Sequence, residues 1–271
     1  MNGASRDALA TARERLDALT DNTSVDAAKL AGELAAVTAL LDREVSLRRV
    51  ITDPAQSGEA KAELAGRLLG GQVGGETLDL VSGMVRSRWS QSRDLVDSLE
   101  VLAATADLTA AQSSGGLDDV EDELFRFGRI VTSSTELRAA LTDRSATAAA
   151  KSQLLRSLLG GKANAVTERL VTRLVTHPRG RSLEAGLESL SKVAAERRGR
   201  MVATVTTAVP LSDVQKQRLG AVLAKLYGRP MHLNLDVDPT VLGGISVRVG
   251  DEVIDGTISD RIAEASRRMA G

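Results

Sequence analysis

The sequence predicts a mainly α chain, in which an N-terminal helical bundle built from a duplicated helical module is followed by a small C-terminal α+β domain. Three observations predict it. From residue 5 to about 200, apolar residues recur at steps of three and four, as a helix with one buried face requires. Within that stretch one pattern is written twice, 90 residues apart. Beyond residue 200 the period shortens to two, the alternation of a half-buried strand.

Leu9, Ala12, Leu16 and Leu19 share the face of a first helix, and Leu30, Leu34, Val37 and Leu41 that of the next. Leu117, Val120, Leu124, Phe127 and Val131 repeat the spacing, as do Leu183, Leu187, Leu190 and Val193. Each stripe must be buried against a neighbour, so a bundle follows. Stripes of Leu, Val and Ala with hardly any rings predict closely spaced axes and a thin core.

The duplication is legible in Leu47-Arg48-Arg49-Val50-Ile51-Thr52-Asp53 against Leu137-Arg138-Ala139-Ala140-Leu141-Thr142-Asp143. It continues through Ala60-Lys61 and Ala150-Lys151, Leu64 and Leu154, and Leu68-Leu69-Gly70-Gly71 and Leu158-Leu159-Gly160-Gly161. Leu80-Val81 and Val85 then match Leu170-Val171 and Val175. Apolar periodicity does not demand the shared Thr-Asp and Gly-Gly ends; they are turn and left-handed cap residues. On this reading residues 1–91 are a first module, 92–200 a second copy and 201–271 the α+β domain.

In that last domain Met201, Ala203, Val205 and Val209 face one way and Thr204 and Thr206 the other, and Pro210 closes the strand. Ser212-Asp213-Val214-Gln215 is a capping box opening a helix with the stripe Leu219, Val222, Leu223 and Leu226, ended by Gly228. In the next strand Met231, Leu233, Leu235 and Val237 point inward and His232, Asn234 and Asp236 outward. Asp238-Pro239-Thr240 turns the chain into a hairpin in which Ile245, Val247 and Val249 alternate with Ser246 and Arg248. Gly250-Asp251 suits its type II′ turn, and residues 252–254 form the return strand. After Gly256, Thr257 or Ser259 can cap a closing helix with Ile258, Ile262, Ala265 and Met269 apolar. The predicted order is β-α-β-β-β-α.

Composition excludes several classes. The 271 residues, 42% hydrophobic and 26% charged, suit a soluble globular chain of two or three domains. A net charge of −1 and 1% aromatics leave neither a field nor a stacking platform for nucleic acid. With no cysteine there are no disulfides or thiolate metal sites. The first residues lack the basic and apolar blocks of a signal peptide, and no apolar run approaches the roughly 20 residues of a membrane span. Membrane association is therefore expected through a partner.

Isolated motifs read as structural. Gly70-Gly71-Gln72-Val73-Gly74-Gly75-Glu76-Thr77 has P-loop spacing, but Glu76 stands in place of the lysine and a helix precedes it, so a cap and loop are expected. His177 and His232, the two histidines, lie too far apart in sequence to suggest a shared site. Asp251 and Asp255 as a carboxylate pair are weighed against their use as acceptors for backbone amides. Arg197, Arg198 and Arg200 complement a helix C-terminus. Trp89, the sole tryptophan, is either a core anchor or an interface residue.

The stretch Gly243-Gly244-Ile245-Ser246-Val247-Arg248-Val249-Gly250-Asp251-Glu252-Val253-Ile254-Asp255-Gly256-Thr257 resembles the C-terminal signature of the δ subunit of bacterial F-type ATP synthase, whose mitochondrial relative is the oligomycin-sensitivity-conferring protein. Gly243, Gly244, Gly250, Asp251, Asp255 and Gly256 carry it. The resemblance covers roughly residues 92–271. With about 90 residues in front, it is to the enlarged, unfused actinobacterial form. It implies a non-catalytic stator subunit without cofactor, peripheral to the cell membrane on its cytoplasmic side. The helical domain would capture N-terminal helices of the α subunits and the C-terminal domain would grip the b subunit of the peripheral stalk. By helix order, the α-subunit groove would lie between the helix of Leu95, Leu99 and Leu102 and that of Leu170 and Leu174. The bundle alone would equally permit a helical adaptor of another complex.

Overall fold

The computed structural model describes residues 2–21, 24–198, 201–228, 231–238, 243–249 and 252–255, with the backbone alone at 201, 202, 204, 232, 234 and 255. Among the described residues, eleven helices precede the first strand: α1 (Gly3–Thr20), α2 (Ala27–Arg43), α3 (Val45–Ile51), α4 (Gly58–Leu69), α5 (Gly75–Arg86), α6 (Ser92–Ser113), α7 (Leu117–Ser133), α8 (Thr135–Thr142), α9 (Ala148–Leu159), α10 (Ala165–Thr176) and α11 (Leu183–Arg198). Then come β1 (Met201–Thr207), α12 (Asp213–Tyr227), β2 (Met231–Val237), β3 (Ile245–Val249) and β4 (Glu252–Asp255). The chain divides into two compact units, one of residues 1–16 and 26–198 and one of 17–25 and 199–271.

In the helical unit the written repeat is a structural one. α2, α4 and α5 return 90 residues later as α7, α9 and α10 with the same lengths, and α3 returns as α8. Local chemistry repeats with them. Ser57 and Thr147 cap α4 and α9, each accepting an amide hydrogen at 3.2 Å. Thr52 and Thr142 donate to the Arg48 and Arg138 carbonyls at 2.7 Å. Gly71 and Gly161 take the left-handed conformation, φ 75° and 68°, that ends α4 and α9.

α6 stands about 90 residues after α1 and about 90 before α11. It therefore belongs to both copies. As the last helix of the first it packs along α2, as α11 packs along α7; as the first helix of the second it meets α7, α10 and α11. This double use explains why 14 of its 22 residues are buried. Leu30, Leu34, Val37 and Leu41 are buried, as are Leu117, Val120, Leu124, Phe127 and Val131. In α1 the buried face is Ser5, Ala8, Ala12 and Leu16, with Leu9 and Leu19 half-exposed. Ser5 turns the helix toward α6: its hydroxyl donates to Asp94 at 2.7 Å and accepts from the Ser90 amide at 2.8 Å.

The second unit is a four-stranded sheet of order β2-β1-β3-β4, with β1 parallel to β2 and antiparallel to β3, and β3 antiparallel to β4. Registers Ala203↔Leu233, Ala203↔Val249 and Val205↔Val247 put these residues on one face, where they pack with Leu223 and Leu219 of α12. Ser212 and Gln215 form the capping box, and Gly228 ends α12 at φ 67°.

Three sequence expectations are corrected here. Val209 lies past the end of β1, held in a turn by the Thr207 hydroxyl on its carbonyl at 2.8 Å, and is exposed. Val237 ends the edge strand and is exposed. On α12 the buried line runs through Leu219, Leu223 and Tyr227, four residues apart, which leaves Val222 and Leu226 in solvent. The turn residues Pro239, Thr240, Gly250 and Asp251, the closing helix beyond Gly256, and Arg200 lie outside the described residues.

Candidate partner-binding surfaces

The five leucines of the expected groove are all buried. Leu170 and Leu174 of α10 line a crevice with Val101 and Ala104 of α6 and with Gly186, Leu190 and Val193 of α11. It holds only about 30 Å³ of solvent-sized space. Leu95, Leu99 and Leu102 do not line it: at 100° per residue they lie on the side of α6 roughly opposite Val101 and Ala104. Gly186 sets the spacing, since a Cβ there would stand 2.3 Å from Leu174 Cδ1.

Polar groups along this body brace helices. Glu123 of α7 accepts from the Asn164 amide at 2.9 Å and the Thr167 hydroxyl at 2.5 Å, strapping the start of α10. Glu33 does the same for α5, accepting from Gly74 and Thr77 at 2.9 and 2.5 Å. The P-loop-like stretch thus has its helix N-terminus already occupied by a carboxylate. Periodicity missed this strap, although the 90-residue recurrence of Glu and Thr was open to view.

The copies differ in their ion pairs. Asp107 of α6, wholly buried, receives Arg169 at 2.9 Å and Arg173 at 3.0 Å. In the first copy Arg15 of α1 meets Asp79 of α5 at 2.6 Å, with the charges exchanged and both side chains about half exposed. Arg179, at φ 52°, sends its buried guanidinium to Asp42, Asp97 and Glu100 and so joins the α10–α11 loop to α2 and α6.

The remaining sequence candidates take structural places. Trp89 is buried, its indole N–H on the Met84 carbonyl at 2.8 Å, which makes it a core anchor. Arg197 is buried and donates to Gln112 at 2.7 Å; Arg198 pairs with Glu121 at 2.9 Å. His177 caps α10 beside Thr176, Nδ1 to hydroxyl 2.9 Å. The His232 and Asp255 side chains are not among those described; their backbones pair with Val202 and Ser246. Of the signature glycines, Gly243 and Gly244 take φ 104° and 90°, open to glycine and strained for other residues. Gly256 lies outside the described residues.

Among the described residues of the second unit, the large exposed apolar side chains are Val214, Val222 and Leu226 of α12, Val253 and Ile254 of β4, and Val209 and Val237. Tyr227 donates to Glu252 at 2.9 Å, and that bond to a carboxylate raises its hydroxyl above the ordinary range. Among the described helices none is long and apolar enough to cross a membrane.

Comparison with known proteins places this arrangement. A family model described as ATP synthase delta (OSCP) subunit matches residues 103–269. A Streptomyces griseus protein named ATP synthase subunit delta is 83% identical over 271 residues, all of both chains. Proteins of the same name from Streptomyces coelicolor, at 78% over all of this chain and 98% of theirs, and Thermobifida fusca, at 51% over all of both, are also similar. A chain in a cryo-EM structure of the Toxoplasma gondii mitochondrial ATP synthase hexamer aligns with a TM-score of 0.28 and 20% identity, over 62% of this chain and 95% of that one. Matched by the family model over more than half its length and by relatives from end to end, the chain belongs to the ATP synthase delta (OSCP) subunit family.

Proposed function

We propose that this chain works by holding and not by reacting: it is the non-catalytic stator subunit that ties the catalytic head of an F-type ATP synthase to its peripheral stalk. The helical body, residues 1–200, takes N-terminal helices of the α subunits, and the α+β unit, 201–271, takes the end of the b subunit. The assembly sits peripherally on the cytoplasmic side of the cell membrane. Held at both ends, the head cannot turn with the rotor, so torque reaches the catalytic sites. Joining two interfaces through one chain raises the effective concentration of each partner for the other.

The observation that carries this reading is the span of the family match. Residues 103–269 take in most of the second helical copy together with the α+β unit, so the shared part includes both segments to which this reading gives a grip. The first copy is then an added brace. For the α-subunit helix the crevice between α6 and α10 is the seat we favour, with Leu170 and Leu174 on one wall and Val101 and Ala104 on the other. Its small volume admits the tip of one apolar side chain, with the rest of the helix lying across its mouth. Leu95, Leu99 and Leu102 support that wall from behind.

The test is affinity purification of the tagged full-length chain, and of a form ending at residue 200, from solubilised membranes, with the co-purifying proteins identified by mass spectrometry. The full chain should bring α, β and b subunits; the shortened form should keep α and lose b. Loss of α with retention of b would reverse the two ends. Saturable ATP turnover by the isolated chain would end the reading.

A further inference from the structure

The two copies differ at one end of the helical unit. In the first, the chain leaves α5 and buries Trp89, three residues after the helix, against the Met84 carbonyl. Beside it Lys61, only 4% exposed, reaches the Ser87 carbonyl at 3.4 Å. In the second copy the residue three places after α10 is Arg179, and its side chain is drawn off to Asp42, Asp97 and Glu100. The counterparts of Ile51, Lys61 and Met84 are Leu141, Lys151 and Leu174. They line an open cleft of about 860 Å³.

Its floor is apolar, with Leu141 and Leu174 buried. Its rim is cationic: Arg138, Arg144, Lys151 and Arg181 face one lining carboxylate, Glu184. Arg138 stands 3.8 Å from Glu184, and Arg181 is held by Glu100. Arg144 and Lys151 make no ion pair within 4 Å among the described residues. Neighbouring Asp143 accepts from the Ser145 amide and hydroxyl, which with the charge of Lys151 hold its carboxyl below the usual range, so a second carboxylate stands near the rim and leaves it net cationic.

We propose that this cleft is a docking site for an acidic peptide segment of another chain, which sets one large apolar side chain on the Leu141–Leu174 floor and lays its carboxylates on the rim. The first copy supplies the precedent, for there the residue matching Arg179 is Trp89, whose indole is buried against the Met84 carbonyl. A volume of about 860 Å³ lies within the range that encloses a ligand of several residues' bulk. A small anion would leave the floor uncovered. Nucleic acid would want a stacking surface, and no lining residue is aromatic. The inference stands apart from the stator reading, because it concerns a site that either assignment of the two ends would leave in place.

The experiment uses the full-length chain and fluorescence anisotropy of a labelled acetyl-Asp-Glu-Trp-Glu-Asp amide peptide. A version with Ala for Trp and a version with Lys for every acid serve as comparators. The acidic Trp peptide should bind saturably below about 1 mM, and both comparators should bind about tenfold more weakly. The double variant Arg144→Glu, Lys151→Glu should weaken it by a similar factor and remove its salt dependence. Ala139→Trp, a change at an exposed lining position of α8, should block the cleft without altering any charge, and so tests the site even where charge reversal disturbs folding. The proposal is overturned if the wild-type chain shows no saturable binding, if the basic peptide binds as well, or if Ala139→Trp folds and binds normally. Equal competition by pyrophosphate or a short oligonucleotide would also overturn it.

Discussion

The first copy shuts the end of its bundle with Trp89 and a buried lysine; the second keeps that end open, lined by Leu141 and Leu174 and edged with arginine and lysine. Between those ends the copies share their caps and straps, down to the glutamate that ties the fifth helix of each to the second, while their ion pairs differ. The difference teaches where a duplicated module can change. Caps and straps hold the helices of each copy in place and are retained. The loops at the bundle's end lie outside those caps and straps and are free to differ: one buries Trp89 and the other sends Arg179 back to α2 and α6.

The largest break in the comparison should come from Trp89→Ala. Removing a buried indole leaves a cavity worth about 3–5 kcal/mol, read as a lowered urea midpoint with an unchanged slope. Truncations on the cleft's exposed rim, at Arg144 or Lys151, should not approach it. Next is Asp107→Asn, which weakens the bonds from Arg169 and Arg173 at a wholly buried acceptor; because the two arginines are themselves partly exposed, it should cost about 1–3 kcal/mol. Its opposite number in the first copy, Asp79→Asn, breaks an exposed pair and should cost under about 1 kcal/mol. Equal losses at the two positions would mean that the exchanged pairs are equivalent after all.

A matched result is expected for Glu33→Gln and Glu123→Gln. Each strap loses the charge that strengthens its two bonds, at about 1–2 kcal/mol, and the values should agree because the geometry does. The smallest effect is alkaline. Burial lowers the Lys61 ammonium from its ordinary 10.5, with Arg88 adding to this and Asp53 opposing it. Its burial cost is fully present below the folded value. Between the folded value and 10.5 the unfolded chain binds more protons, so stability should rise with pH in that window. Denaturation curves taken from neutral pH upward should show a rise that Lys61→Met abolishes.

Alone, the sequence determined what depends on neighbours a few places apart. Apolar steps of three and four placed the helices, Ser212 with Gln215 opened α12, the glycine pairs ended α4 and α9, and alternation laid out β1 to β4. The repeat and the signature glycines were legible because both are written as residue identities at fixed spacing. Which face of a helix meets which partner was decided only by tertiary structure. Periodicity grouped Val222 and Leu226 with Leu223, yet the sheet covers just one side of that group. Helix order placed Leu95, Leu99 and Leu102 in a groove with α10, but α6 serves two copies at once and turns those leucines to the opposite side. Trp89 and Arg179 occupy matching places in the repeat, and one is a plug while the other is a tether. The physical reason is range: helix formation is settled within four residues, whereas burial depends on partners such as α2 and α6 that lie far apart in the chain and meet only when the whole body closes.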